Sequence, residues 1–197
     1  MGRIISYIVN MIPYMLIAIF VFIIARIIIV RVKGCKINLK HEILFLLFTA
    51  FLAGLASQTV IPKLEIGLNG GLAIQTSGVG SVNIIPFKVL YDTYKEVFEN
   101  NNINYFLINF IGNIVMFMPI GFCLPALWEI KGRHVILTGF LISLFIELSQ
   151  LFLSRGTDID DLILNTLGTA AGLLIYKLMY GIIGSKFHIV KDNKIQQ

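Results

Sequence analysis

Charge is scarce in this chain. Of its 197 residues 14% are Asp, Glu, Lys or Arg against 57% hydrophobic, and the mean hydropathy is +0.85. That balance excludes a soluble globular domain of this length, so lipid is the solvent for most of the chain. Cysteine is nearly missing: Cys35 and Cys123 are the only two. They offer no disulfide framework, and their spacing fits no metal knuckle. No serine or cysteine stands beside a histidine at the spacing of a nucleophile and its base. No repeat of period about 20 to 50 residues runs through the chain, and low complexity is confined to a Gly/Ser patch at 76–81.

What the chain does have is long apolar runs. At roughly 20 residues for about 30 Å of hydrocarbon, candidate spans fall at 4–29, 42–61, 105–127, 135–153 and 162–183. The first is too long for a signal-peptide core and lacks a small-residue cleavage site, so it is expected to be retained. These spans predict an all-α polytopic membrane protein, one domain over 1–197, with about five transmembrane helices. Lys and Arg set the orientation. Arg31, Lys33, Lys36 and Lys40, then Lys131 and Arg133, then Lys186, Lys191 and Lys194 mark the cytoplasmic connections and tail. The N-terminus is therefore expected outside and the C-terminus in the cytoplasm, with both cysteines at or near the reducing side. The net charge of +5 is explained by this anchoring against an anionic leaflet, and no nucleic-acid partner is expected.

The outer loop, 62–104, carries its own signals. Segments 64–68 and 71–75 flank Asn69-Gly70, a pair suited to a hairpin turn, which predicts a short β-hairpin. Further on, Phe87, Leu90, Tyr91, Tyr94, Val97 and Phe98 recur at helical spacing, and Pro86 suits the first turn of a helix there. Lys88, Asp92, Lys95, Glu96 and Glu99 take its other side. An interfacial helix that lies along the outer boundary or caps the bundle follows, ended by 100–102.

One acid lies inside a span. Glu147 in 135–153 costs roughly 3 kcal/mol on insertion scales, and such a group usually faces a protein interior and marks a working site. Polar residues on the neighbouring spans share helical faces: Asn109 and Asn113; Ser143, Glu147, Gln150 and Ser154; Asp161, Asn165, Gly168 and Gly172. The connection between the last two spans adds Arg155, Asp158, Asp160 and Asp161. Asn109, Asn113, Glu147, Gln150, Asn165 and the whole 155–161 connection fall in the outer half of the membrane under the orientation above. The small residues at 168–172 should let the last helix approach its neighbours closely.

Asn83-Ile-Ile-Pro-Phe87, Asn109-x-x-Gly-Asn113 leading to Pro119-x-Gly121, Ser143 to Glu147-x-x-Gln150, and Arg155-x-x-Asp158-x-Asp160-Asp161-x-x-x-Asn165-x-x-Gly168 form an ordered series. It resembles the VanZ-like membrane proteins over about 83–172, a little under half of the chain. The resemblance implies a bacterial cytoplasmic-membrane protein associated with low-level teicoplanin resistance, acting without altered peptidoglycan precursors. Carried over by residue, its motif positions are Asn83, Pro86, Phe87, Asn109, Asn113, Glu147, Gln150, Arg155, Asp158, Asp161 and Asn165.

Two functional expectations follow, from different classes. In the first, a membrane lipid, a lipid-linked cell-wall component or a lipoglycopeptide sets its tail among the helices. Its head group meets Asn83, Phe87, Asn109, Asn113, Glu147, Gln150, Arg155, Asp158, Asp161 and Asn165, and Arg155 pairs a phosphate or carboxylate through its planar fork. In the second, the chain is a hydrolase or transferase for a lipid or cell-wall head group. Glu147 is then the acid/base, with Asp158 or Asp161 as second carboxylate or as ligands to a hard divalent cation. His41, His134 and His188 fall on the cytoplasmic side, away from that chemistry. No cofactor or resident metal is expected. Transport is disfavoured, because the spans show no inverted repeat and the polar stripes do not continue to the cytoplasmic ends.

Overall fold

The computed structural model describes residues 2–34, 37–61, 64–66, 72–74, 82–153 and 156–183. Six helices account for most of them: α1 (Gly2–Lys33), α2 (Leu39–Thr59), α3 (Lys88–Tyr94), α4 (Ile103–Leu127), α5 (Gly132–Phe152) and α6 (Ile159–Ile183). All but α3 are long and apolar enough to cross a membrane, and they coincide with the five expected spans to within a few residues. Their ends have local causes. α1 stops where Gly34 takes a φ of 62° and donates its N–H to the Val30 carbonyl at 2.9 Å, as a glycine terminator does. α2 starts where the Asn38 side-chain oxygen accepts from Lys40 N at 3.1 Å and His41 N at 3.4 Å.

The closest pair is α4 and α6. A methyl group on Gly168 would run into the Ile114 carbonyl, one on Gly172 into the Met118 carbonyl, and one on Gly121 into the Thr169 carbonyl. Backbone therefore lies against backbone, as the small residues at 168–172 anticipate. Between α2, α4 and α5 lies the apolar core, with Phe48, Leu55, Phe117, Ile120, Leu127 and Ile146 all buried. Cys123 joins it as a free thiol, whereas Cys35 lies outside the described residues. α1 stands apart, touching chiefly α2: Gly54 faces Met11 and Met15, the Phe22 and Phe45 rings meet edge-on at 5.0 Å, and the Arg26 guanidinium grips both Glu42 oxygens.

The expected hairpin forms. Strands β1 (Leu64–Ile66) and β2 (Leu72–Ile74) pair antiparallel, with Leu64 opposite Ile74 and Ile66 opposite Leu72; the Asn69-Gly70 turn itself lies outside the described residues. A second pairing was not legible in the sequence. β3 (Val82–Asn83) runs parallel to β4 (Thr157–Asp158), Val82 opposite Thr157 and Asn83 opposite Asp158. Two segments some seventy-five residues apart are thereby fastened at one end of the bundle.

The interfacial helix begins later than Pro86 suggests. Phe87 adopts a left-handed φ of 65°, so the chain turns once more before Lys88 enters α3. Past Tyr94 the helix widens into a π-helical turn, Lys95–Glu99. The asparagines close it as expected. Glu96 accepts from the side chains of Asn100 at 3.0 Å and Asn102 at 2.9 Å, and Asn101 sits at a φ of 50°.

Candidate functional site

α5 and α6 meet as a ladder of residues four apart. Gly139 receives the Thr169 side chain; one turn on, the Ser143 hydroxyl accepts from Asn165 Nδ2 at 2.9 Å; one turn further, Glu147 faces the β4 strand that leads into α6. This i, i+4 pattern follows from helical geometry, which stacks such positions on one face. Ser143, Asn165 and Glu147 are all buried, Glu147 at 5% exposure. The Ser143 to Asn165 bond satisfies two groups that would otherwise lie unpaired in an apolar interior.

At the top of the ladder the acids hold the loops. Glu147 Oε2 accepts from the Asp158 backbone N–H at 3.0 Å, and its own carbonyl accepts from the Thr157 hydroxyl at 3.2 Å. Asp158 Oδ1 takes two donors, Asn83 Nδ2 and the Asp160 N–H, both at 2.9 Å. Asp160, 2% exposed, reaches across to α3 and accepts from the N–H groups of Phe87 at 2.5 Å and Val89 at 2.7 Å. Asp161 turns the other way, to α4, where Asn113 Nδ2 donates at 2.5 Å. One short acidic stretch therefore ties α3, α4, α5 and β3 together.

Most of the sequence-predicted residues converge here, but not all. Asn83, Asn113, Glu147, Asp158 and Asp161 share the network, and Asn165 lies one turn below it. Phe87 joins through its backbone only; its ring is 63% exposed. Among the described residues the Asn109 side chain bonds only the Tyr105 carbonyl one turn back, at 3.2 Å. Gln150 is half-buried, and its side chain makes no hydrogen bond among the described residues. Arg155 lies outside the described residues. Asp160 and Ser143 sit in the motif blocks without having been singled out; for Asp160 the only signal was its place between two other acids.

Three carboxylate oxygens of this cluster accept no hydrogen bond among the described residues: Glu147 Oε1, Asp158 Oδ2 and Asp161 Oδ2. Among those same residues no three His, Cys, Asp or Glu side chains are disposed to hold a metal ion. His41, bonded to the Leu127 carbonyl at 3.3 Å, sits at the opposite end of the bundle, as does His134 at the start of α5. The acid end can thus accept hydrogen bonds from a ligand rich in hydroxyl, amide or ammonium groups.

Residues 43–180 match the family model described as VanZ/LLP1. No curated protein and no solved structure matches the chain.

Proposed function

This chain belongs to the VanZ/LLP1 family, which is linked to glycopeptide resistance, and on that premise we propose that it binds an amphiphile at the acid end of its bundle. The ligand is a membrane lipid, a lipid-linked cell-wall component or a lipoglycopeptide such as teicoplanin. What supports this most is a set of three carboxylates with acceptor capacity to spare. Glu147, Asp158 and Asp161 each use one oxygen to hold the fold and leave the other without a donor among the described residues. Sugar hydroxyls and peptide amides supply donors of that kind, and charge-assisted bonds to them contribute about 1.5–3 kcal/mol each.

The Lys and Arg distribution supports an acid end on the extracytoplasmic side of the bacterial cytoplasmic membrane, N-terminus out and C-terminus in. There it would face cell-wall intermediates. Arg155, in the connection beside the acids, would supply a cation to a phosphate or carboxylate on the same ligand.

The test is expression in a glycopeptide-sensitive bacterium, with the teicoplanin inhibitory concentration and binding of a lipid-linked cell-wall precursor to purified protein both measured. Glu147→Gln should bring the inhibitory concentration down to the empty-vector value and weaken precursor binding, at unchanged membrane abundance. Full resistance and full binding in that variant would refute the proposal. Retained binding with lost conversion of the precursor would instead assign a membrane-embedded hydrolase or transferase with Glu147 as acid/base.

A further inference from the structure

Helix α3 is amphipathic with its polarity reversed. Phe87, Tyr91, Tyr94 and Phe98 are spaced four, three and four residues apart, so they form one stripe, and they are 63%, 67%, 59% and 72% exposed. Ile84 and Ile85, just upstream, extend it at 73% and 64%. The opposite side, turned to the bundle, contains buried Val89 together with half-buried Asp92, Thr93 and Glu96. A helix on the water-facing surface of a protein shows the reverse arrangement, apolar side in and charged side out.

The depth of α3 resolves the reversal. It packs against the first turns of α4, and α4 starts a membrane span at Ile103. Its stripe therefore lies level with the end of the hydrocarbon, where tyrosine and other aromatic rings concentrate because their bodies are apolar and their tips wet. Lys88 and Lys95 are exposed beside the stripe, long enough for their stems to cover apolar surface while their ammonium groups reach lipid phosphates.

We infer that segment 84–98 is a membrane-interface anchor whose aromatic stripe, Phe87, Tyr91, Tyr94 and Phe98, is buried in the head-group boundary of the leaflet at the acid end. Its partner is the lipid surface itself. Asp160 fastens the helix from below through the Phe87 and Val89 N–H groups, and the bilayer holds it from outside. The inner, acidic side of α3 is thereby kept over the bundle end, and traffic to that end passes along the leaflet. The anchor stands whether or not the acid end binds an amphiphile.

The single tryptophan, Trp128, lies at the far end of α4, packed on Phe45 at 5.4 Å between ring centroids, so it can be replaced by phenylalanine to give a silent background. Full-length Trp128→Phe/Tyr91→Trp, with Trp128→Phe/Phe98→Trp as a second probe, is reconstituted in phosphatidylcholine–phosphatidylglycerol vesicles containing brominated lipid. Quenching should be several-fold stronger from bromines near the acyl carbonyls than from bromines near the chain ends, with little quenching by aqueous iodide. Iodide quenching without bromolipid quenching would overturn the anchor and place the stripe in water. Protection from both quenchers would also overturn it, by showing a protein or second copy over the stripe. Neither probe replaces Glu147 or Asp161, so failure here with resistance intact refutes the anchor alone.

Discussion

Asp160→Ala should release α3 from the bundle end while leaving the bundle folded. Both oxygens of this carboxylate are engaged, by Phe87 N at 2.5 Å and Val89 N at 2.7 Å, and the residue is 2% exposed. A hydrogen bond to a charged group contributes about 1.5–3 kcal/mol. The Phe87 bond is only part-buried while the Val89 bond is buried, so the lower figure for each is a floor, about 3 kcal/mol together. That is about a hundredfold in the equilibrium for local opening. Asp160→Asn keeps one acceptor oxygen and no charge, and should fall between alanine and the native residue. The assay is amide hydrogen exchange in nanodiscs, followed on peptides covering 84–99 and, as a reference, 135–152. Exchange should accelerate in the first and hold steady in the second. Unchanged exchange over 84–99, or equal acceleration in both peptides, would refute the assignment of Asp160 as the clasp.

Other contacts give equally direct expectations. Gly168→Ala and Gly172→Ala each force a methyl onto a carbonyl of α4, so the helix-propensity gain of about 1 kcal/mol should be outweighed by about 1–3 kcal/mol of overpacking and the melting temperature in detergent should drop. Gly181→Ala, with nothing near its would-be methyl, is the control and should be neutral or mildly stabilising. Arg26→Ala leaves Glu42, whose side chain is 18% exposed, without its guanidinium, and should destabilise the α1–α2 pair by about 1–3 kcal/mol. Adding Glu42→Ala should restore part of that loss, a coupling read by a double-mutant cycle on thermal unfolding.

The long-range architecture was legible because hydrocarbon imposes it: runs of about 20 apolar residues have one solution, a helix, and all five spans came through. The site was legible in part. Glu147, Asn113 and Asn165 announced themselves by being polar at depth, and helical periodicity put them on inward faces. The β3–β4 contact was not, because two residues pairing with two others 75 positions away leave no periodic trace. Phe87 shows a second limit. Its spacing placed it correctly in an aromatic stripe, but periodicity carries no sign, and only the packing shows that this stripe points away from the bundle. Asp160 was passed over for a related reason: among Asp158, Asp160 and Asp161 nothing local says which acid turns to α3 and which to α4.

The acid end holds Glu147, Asp158, Asp160 and Asp161, and hydrogen-bond donors account for each of them unequally. Asp158 takes two donors on one oxygen and Asp160 one donor on each, so their roles in the fold are sufficient reason for an acid that gathers several N–H groups. Among the described residues Glu147 and Asp161 take one donor each. A glutamine or asparagine carbonyl would accept that single bond equally well, without the several kcal/mol that an ionised group loses on leaving water. Stability alone therefore favours amides at these two positions, and the acids there point to work beyond folding. It follows that Glu147→Gln and Asp161→Asn should unfold at the native temperature or above it while losing teicoplanin protection, whereas Asp158→Asn should lose both together. Thermal unfolding in detergent and the inhibitory concentration, measured on the same three variants, decide the matter: if Glu147→Gln and Asp161→Asn melt early, their carboxylates belong to the scaffold and the binding site must be sought elsewhere.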